Sequence, residues 1–210
     1  MLYNNYMKTK QYKKSELEQV VEALRLGAII AFPTDTVFGL GCVYDNENAI
    51  QHIKVAKGRD EKKPLPMMCA NLSMIERVAE LSSEARVLIE HLTPGALTLI
   101  LNKKPEVADY VTNGFPTIAI RIPDDEFILK MLQQLDKPLL VTSANLSNHP
   151  SMKEDYEVLN VLEGRIDGIV LGSAHSTIAS TIVDMTNQMR IVREGAITQE
   201  KIDEVLRDFC

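Results

Sequence analysis

The chain has 210 residues, of which 45% are apolar and 25% charged, and its formal net charge is −6. That composition suits one globular domain with a sizeable core, and no apolar run approaches the roughly 20 residues needed to span a bilayer. The acidic balance argues against a nucleic-acid binder that uses its whole surface, but it leaves room for a local basic cleft.

The N-terminal MLYNNYMKTKQYKK is polar and basic without the apolar centre of a secretory signal, so the expected location is the cytosol, with no membrane association. Cys42, Cys69 and Cys210 are too scattered for a disulfide framework or a C-x-x-C knuckle, and the first two read as small buried residues. His52, His91, His149 and His175 show no metal-ligand spacing, and no structural metal is expected.

Ser15 and Glu18 fit a capping box that opens a helix through Val20, Val21 and Leu24, with Gly27 as its stop. The run GAIIAF (27–32) reads as a buried strand. It leads into PTDTVFGLG (33–41), whose hydroxyls can donate hydrogen bonds and whose glycines let backbone approach a ligand. AIQHIKVA (49–56) has helical spacing, Gly58 permits the helix to end, and Pro64 prevents its continuation. On that bend lies KGRDEKKPL (57–65), where Lys57, Arg59, Lys62 and Lys63 outnumber Asp60 and Glu61. Such a run is ordinarily a solvated turn, but at a helix end it can also converge on an anion.

Ser73 and Glu76 give a second capping box, and a helix is expected over 83–92. PGALTLIL (94–101) reads as a turn into a strand, and TIAIR (117–121) alternates toward Arg121 at a strand end. Residues 124–135 have an acidic first turn and an apolar stripe, which predicts a helix. The strand PLLV (138–141) runs into Thr142, Ser143, Asn145, Ser147 and Ser151, small polar side chains suited to phosphate or ribose oxygens or to the loop's own backbone. A helix over 155–164, strands in DGIVLG, STIVDM and MRIVREG, and an amphipathic helix over 199–209 complete an α/β pattern with a mixed sheet.

Arg59, Lys63, Arg121 and Arg193 each follow an apolar run, as do Thr34, Thr36, Ser143, Asn145 and Ser180. If the strands share one sheet, their polar ends would surround a cleft of cations and hydroxyls fit for a polyanion. No P-loop, dinucleotide fingerprint, Ser-His-Asp set or paired catalytic cysteine occurs. Asp35 and Asp184 are the nearest carboxylates; either could help hold Mg²⁺, and fixing local backbone is the favoured reading. The set favours electrostatic catalysis of phosphoryl or nucleotidyl transfer over proton shuttling.

PTDTVFGLG, KGRDEKKPL, PGALTLIL, AIRIPDD, TSANLS, STIVD and IVREG, in this order, resemble the YrdC-type threonylcarbamoyl-AMP synthases. The resemblance implies a single YrdC-like catalytic domain over 15–197, a C-terminal helix over 198–210 belonging to it, and an N-terminal extension over 1–14. It implies a twisted mixed sheet with flanking helices around a positively charged concave cleft. It also implies a nucleotidyltransferase that joins L-threonine, bicarbonate or CO₂, and ATP into threonylcarbamoyl-AMP and pyrophosphate. Mg²⁺ would arrive with ATP, and no tightly bound cofactor is expected. The product would pass to a transferase complex that modifies adenosine at position 37 of tRNAs reading ANN codons.

By the same resemblance Lys57 and Arg59 form the catalytic phosphate clamp. Arg59, Lys63, Thr117, Ser143, Asn145, Ser151 and Arg193 contact ATP. Thr36, Arg121 and Ser180 bind threonine, with Thr34 in support. Phe38, Asn148, Asp125 and Met68 depart from the family's usual residues, and Asn148 is expected to keep its loop by taking a left-handed turn. The competing readings are an RNA-binding module for double-stranded RNA or tRNA, and a YciO-like relative of unclear activity.

Overall fold

Short apolar, β-branched runs become strands, and the longer 3.6-period segments between them become helices. The structure, a computed structural model, describes residues 8–58, 63–175 and 178–209. Among them the strands are β1 (Lys10–Tyr12), β2 (Ile30–Phe32), β3 (Gly39–Val43), β4 (Met67–Met68), β5 (Leu97–Asn102), β6 (Thr117–Arg121), β7 (Leu139–Ser143), β8 (Gly168–Val170), β9 (Thr181–Asp184) and β10 (Arg190–Arg193). They form one mixed sheet in the order β1-β8-β2-β3-β7-β4-β6-β5-β9-β10. The helices are α1 (Leu17–Arg25), α2 (Glu47–Lys57), α3 (Leu72–Glu76), α4 (Ser83–Leu92), α5 (Asp109–Thr112), α6 (Glu126–Leu135), α7 (Asp155–Leu162) and α8 (Gln199–Arg207). None of the described helices is long and apolar enough to cross a membrane.

Alternation along the central strands separates two faces. In β6, Ile118 and Ile120 are buried, whereas Thr117 and Ala119 on the other face stay partly open. The apolar face packs into the core with Leu97, Leu99, Leu101 and Val183. The opposite face of the same strands carries the candidate site.

Most of the longer helices start at a side-chain cap, and two starts differ from expectation. Ser15 and Glu18 do not cap α1. Residues 14–16 form a 3-10 turn instead, and the Glu16 carboxylate accepts the Lys13 N–H at 2.7 Å. Asn71 rather than Ser73 caps α3, accepting the Met74 N–H at 2.9 Å, and the earlier start turns Met74 and Ile75 into the core. Gly58 ends α2 in the left-handed region at φ 57, as the sequence predicts.

Part of PTDTVFGLG is strand rather than ligand loop. Gly39 and Gly41 lie in β3, opposite Phe32 and Ile30. Their lack of a side chain serves packing, because a Cβ on Gly39 would sit 3.0 Å from Val141 Cγ1 and 3.3 Å from the Phe32 ring. The sheet also begins ahead of Ser15, since Lys10–Tyr12 pairs in parallel with β8.

Cys42 and Cys69 are fully buried, as expected. Burial pushes the Cys42 thiol up to about 12 and raises that of Cys69 further, against a small opposing effect of the Arg77 charge. Both therefore stay protonated at neutral pH and inert toward alkylation. Iodoacetamide labelling followed by peptide mass spectrometry should leave both unmodified in native protein and modify both in urea. Native labelling of either would contradict the packing of β3 and β4.

Candidate active site on the open face of the sheet

The polar residues do not line one edge of the sheet. β4 runs parallel to β6 but antiparallel to β7, so Arg121 and Ser143, each the last residue of its strand, lie toward opposite edges. They meet across the open face instead. Register places Thr98, Ile100, Ala119, Arg121, Met68 and Ile182 on that face, because Ile100 opposes Ala119, Thr98 opposes Ile182 and Met68 opposes Arg121.

Two hollows result. One, of about 270 Å³, is walled by Thr34, Thr36, Arg121, Ser143, Ser151, Ser180 and Arg193, with Met68, Ala119, Val141 and Ile182 supplying apolar surface. The other, of about 470 Å³, is walled by Lys57, Gly58, Lys63, Ser143, Asn145, Ser147 and Asn148. Ser143 belongs to both walls. Thr117 shares the open face through its alternation with Ala119 but lines neither hollow, and Arg59 lies outside the described residues.

Arg121 is only 6% exposed. Its Nε donates to the Gly95 carbonyl at 2.9 Å, Nη1 to Thr36 Oγ1 at 2.9 Å and Nη2 to Asp35 Oδ2 at 2.5 Å. Asp35 Oδ2 also accepts the Asp124 N–H at 3.0 Å, so this carboxylate pairs with the arginine as well as fixing backbone. Thr34 Oγ1 donates to the Val37 carbonyl at 2.8 Å. The Thr34–Thr36 hydroxyl contact of 3.1 Å must then be donated by Thr36. Thr36 Oγ1 thus gives its proton to Thr34, accepts from Arg121 and keeps one lone pair. Burial pulls the Arg121 pKa below its ordinary value. The charge and hydrogen bond of Asp35 oppose that shift, and the charge of Arg193 adds to it. One N–H on each terminal nitrogen of Arg121 remains for a ligand oxygen.

Arg193 reaches the hollow through a β-bulge. Arg190 opposes Asp184 and Ile191 opposes Val183, but Arg193 rather than Val192 opposes Ile182. Without the bulge, Val192 would oppose Ile182 and alternation would turn Arg193 to the core side of the sheet. Its Nε and Nη2 donate to the Ser180 carbonyl at 3.1 and 2.8 Å, and Ser180 Oγ contacts Thr98 Oγ1 at 2.8 Å. Gly195 closes this corner. Any Cβ there would fall on the Ala179 carbonyl oxygen, and the Gly195 N–H donates to Thr181 Oγ1 at 2.9 Å. Thr98, Val192 and Gly195 escape sequence reasoning, because a bulge and a backbone-to-backbone contact leave no periodic trace.

At the other hollow Lys57 is 2% exposed. Its ammonium donates to the Ser143 carbonyl, to the Asn145 carbonyl at 2.6 Å and to Asn145 Oδ1 at 3.3 Å. The Asn145 amide in turn donates to the carbonyls of Leu146 at 2.9 Å and His149 at 2.5 Å. Asn148 takes the expected left-handed conformation at φ 66. Lys57 and Asn145 together fix the path of the 143–149 loop.

The remaining carboxylates are engaged elsewhere. Asp125 caps α6 by accepting the Ile128 N–H at 3.0 Å. Asp184 accepts from the hydroxyl and N–H of Thr186 and from Arg190, and these bonds, Thr186 first, lower its pKa. Among the described residues no group of three His, Cys, Asp or Glu side chains could hold a metal.

These features define a mixed α/β domain whose helix-packed sheet presents guanidinium, ammonium and hydroxyl groups on its open face. The chain belongs to the Sua5–yciO–yrdC family, whose model, described as "Telomere recombination", matches residues 22–195. It is 37% identical over 195 residues to a threonylcarbamoyl-AMP synthase of Bacillus subtilis, covering 91% of this chain and 56% of that protein. A Photobacterium profundum protein of the same name is 32% identical over 182 residues, covering 85% of this chain and 98% of the relative. The crystal structure of Pyrococcus abyssi Sua5 complexed with L-threonine superposes with a TM-score of 0.88 at 32% identity, over 95% of this chain and 60% of that one. The chain therefore spans little more than half of the Bacillus and Pyrococcus proteins and nearly all of the Photobacterium one.

Because Arg121 is buried, removing the Asp35 charge should leave it uncompensated. Asp35→Asn should lower the unfolding free energy by about 3 kcal/mol in urea titrations, and adding Arg121→Met should recover most of that loss. A single variant as stable as wild type would show that the pair does not hold this face together.

Proposed function

We propose that the protein is a threonylcarbamoyl-AMP synthase, a nucleotidyltransferase acting on L-threonine, bicarbonate or CO₂, and ATP. The observation that carries this reading is Ser143, which walls both the arginine-lined hollow and the lysine-lined one. Two anions held in adjoining hollows would meet at that residue.

In the proposed reaction the amine of threonine attacks CO₂ and loses a proton, giving an N-carboxylate. A carboxylate oxygen then attacks the α-phosphorus of ATP, the bond to the β-phosphate oxygen breaks, and pyrophosphate leaves. Threonylcarbamoyl-AMP retains the AMP moiety. The N-carboxylate is already a nucleophile, so the protein's task is to align two anions and offset their repulsion.

On this reading the free N–H groups of Arg121 take the carboxylate of threonine. The remaining lone pair of Thr36 accepts from a substrate N–H, with Thr34 fixing its hydroxyl and Ser180 completing the subsite. Lys63, Ser143, Asn145, Ser151, Arg193 and Thr117 attend ATP. Lys57, with Arg59, supplies positive charge to the phosphates while holding the Ser143 and Asn145 carbonyls in place. Together these cations make the hollows positively charged. Mg²⁺ enters bound to ATP as part of the substrate. The product would pass, in the cytosol, to a transferase complex that modifies tRNA.

Pyrophosphate release measured with each substrate omitted in turn tests the proposal. Release should require threonine, bicarbonate and ATP together; release from ATP alone, or RNA binding that weakens steeply with salt without turnover, would overturn it. Lys57→Ala should lower kcat by about a hundredfold or more. Arg121→Lys should chiefly raise the KM for threonine, by about tenfold, through loss of the guanidinium fork. Equal effects of the two variants on kcat and KM would refute this division of roles.

A further inference from the structure

Two buried side-chain oxygens, Asp35 Oδ1 and Ser147 Oγ, have no hydrogen-bond partner among the described residues. Asp35 has an evident compensation, since its other oxygen is paired with Arg121. Ser147 has none. A buried hydroxyl without a partner is costly, and folded proteins keep few of them.

The surroundings of Ser147 point to a ligand. Its N–H donates to the Lys57 carbonyl at 2.9 Å, which pins the residue to the C-terminal end of α2. The next residue, Asn148, takes the left-handed turn that carries the chain away. With the backbone fixed on both sides, only χ1 and the hydroxyl rotor remain to aim the proton. The hollow that Ser147 lines also holds the side chains of Lys57, Lys63, Ser143 and Asn145, and among the described residues its wall includes neither a carboxylate nor an apolar side chain. Two ammonium charges with the hydroxyls of Ser143 and Ser147 suit a compact polyanion. Among the described residues they offer no apolar or aromatic surface on which a base could stack.

We propose that Ser147 is a further binding residue whose hydroxyl donates to a phosphate oxygen of a pyrophosphate-type ligand. This rests on the synthase reading, under which the ligand is the β,γ end of ATP and then the pyrophosphate that leaves. The hydroxyl is dry before binding and gains its acceptor only when the phosphates arrive, a turn about χ1 bringing it to the hollow that Ser147 lines.

The test uses the full chain and its Ser147→Ala variant. Each is titrated calorimetrically with magnesium pyrophosphate and separately with AMP, and the melting temperature is recorded without ligand. The variant should bind pyrophosphate about tenfold more weakly, the loss expected of a hydrogen bond to a charged group. It should bind AMP unchanged and melt at the same temperature or higher. Unchanged pyrophosphate affinity, or equal weakening toward AMP, would overturn the assignment. So would a melting temperature lowered by several degrees, because the hydroxyl would then have a partner within the fold. If the wild-type protein binds neither ATP nor pyrophosphate, the synthase reading fails first and the role of Ser147 fails with it.

Discussion

The burial of the Arg121 guanidinium is the constraint on which the open face of the sheet depends. A charge this deeply desolvated persists only when its donors and its field are matched. Here the matching comes from the loop after β2 through Asp35 and Thr36 and from the turn before β5 through the Gly95 carbonyl, while the Asp124 N–H at the entry to α6 holds Asp35 in turn. Segments distant in sequence are thereby fixed to one point. The repulsion between Arg121 and Arg193 remains in the same hollow, and an anion placed between them would relieve it.

Much of the secondary structure was legible because burial follows alternation. TIAIR became β6 and residues 83–92 became α4 with the expected ends. Elsewhere local chemistry concealed the structure. β3 looks like a loop because Gly39 and Gly41 make room for Phe32 and Val141, and a strand so built has little side-chain pattern to read. β4 is two residues long, too short for any periodicity, and takes its place from partners on both sides. Asn71 displaced Ser73 as the cap of α3 because burial of Met74 and Ile75 decided where that helix starts.

The candidate residues of the site were legible, but its geometry was not. Sequence alone places Arg121, Ser143, Ser180 and Arg193 beside strand ends that could surround a cleft, without saying which ends lie together. Strand direction is a non-local property, however, and the antiparallel step between β4 and β7 separates the ends of β6 and β7. The bulge at Val192 then decides which face Arg193 takes. Neither feature leaves a mark in composition or spacing.

The C-terminal end of α2 gathers cations and polar groups without being an anion-binding N-terminus. Its last turn carries Lys54 and Lys57, whose charges suit the negative end of the helix dipole. The Lys57 carbonyl, otherwise one of the helix's unpaired acceptors, takes the Ser147 N–H, while the Lys57 ammonium reaches the carbonyls of Ser143 and Asn145. One residue therefore ties the helix to both ends of the polar loop, and among the described residues its ammonium is held by the Ser143 and Asn145 carbonyls and by Asn145 Oδ1. Carbonyl dipoles fix the position of that ammonium and carry no net charge of their own. Arg121 is the contrasting case: fully charge-paired by Asp35, it offers direction and hydrogen-bond geometry more than net charge. This suits a carboxylate that must be oriented, as the lysine-lined hollow suits phosphates whose charge must be offset.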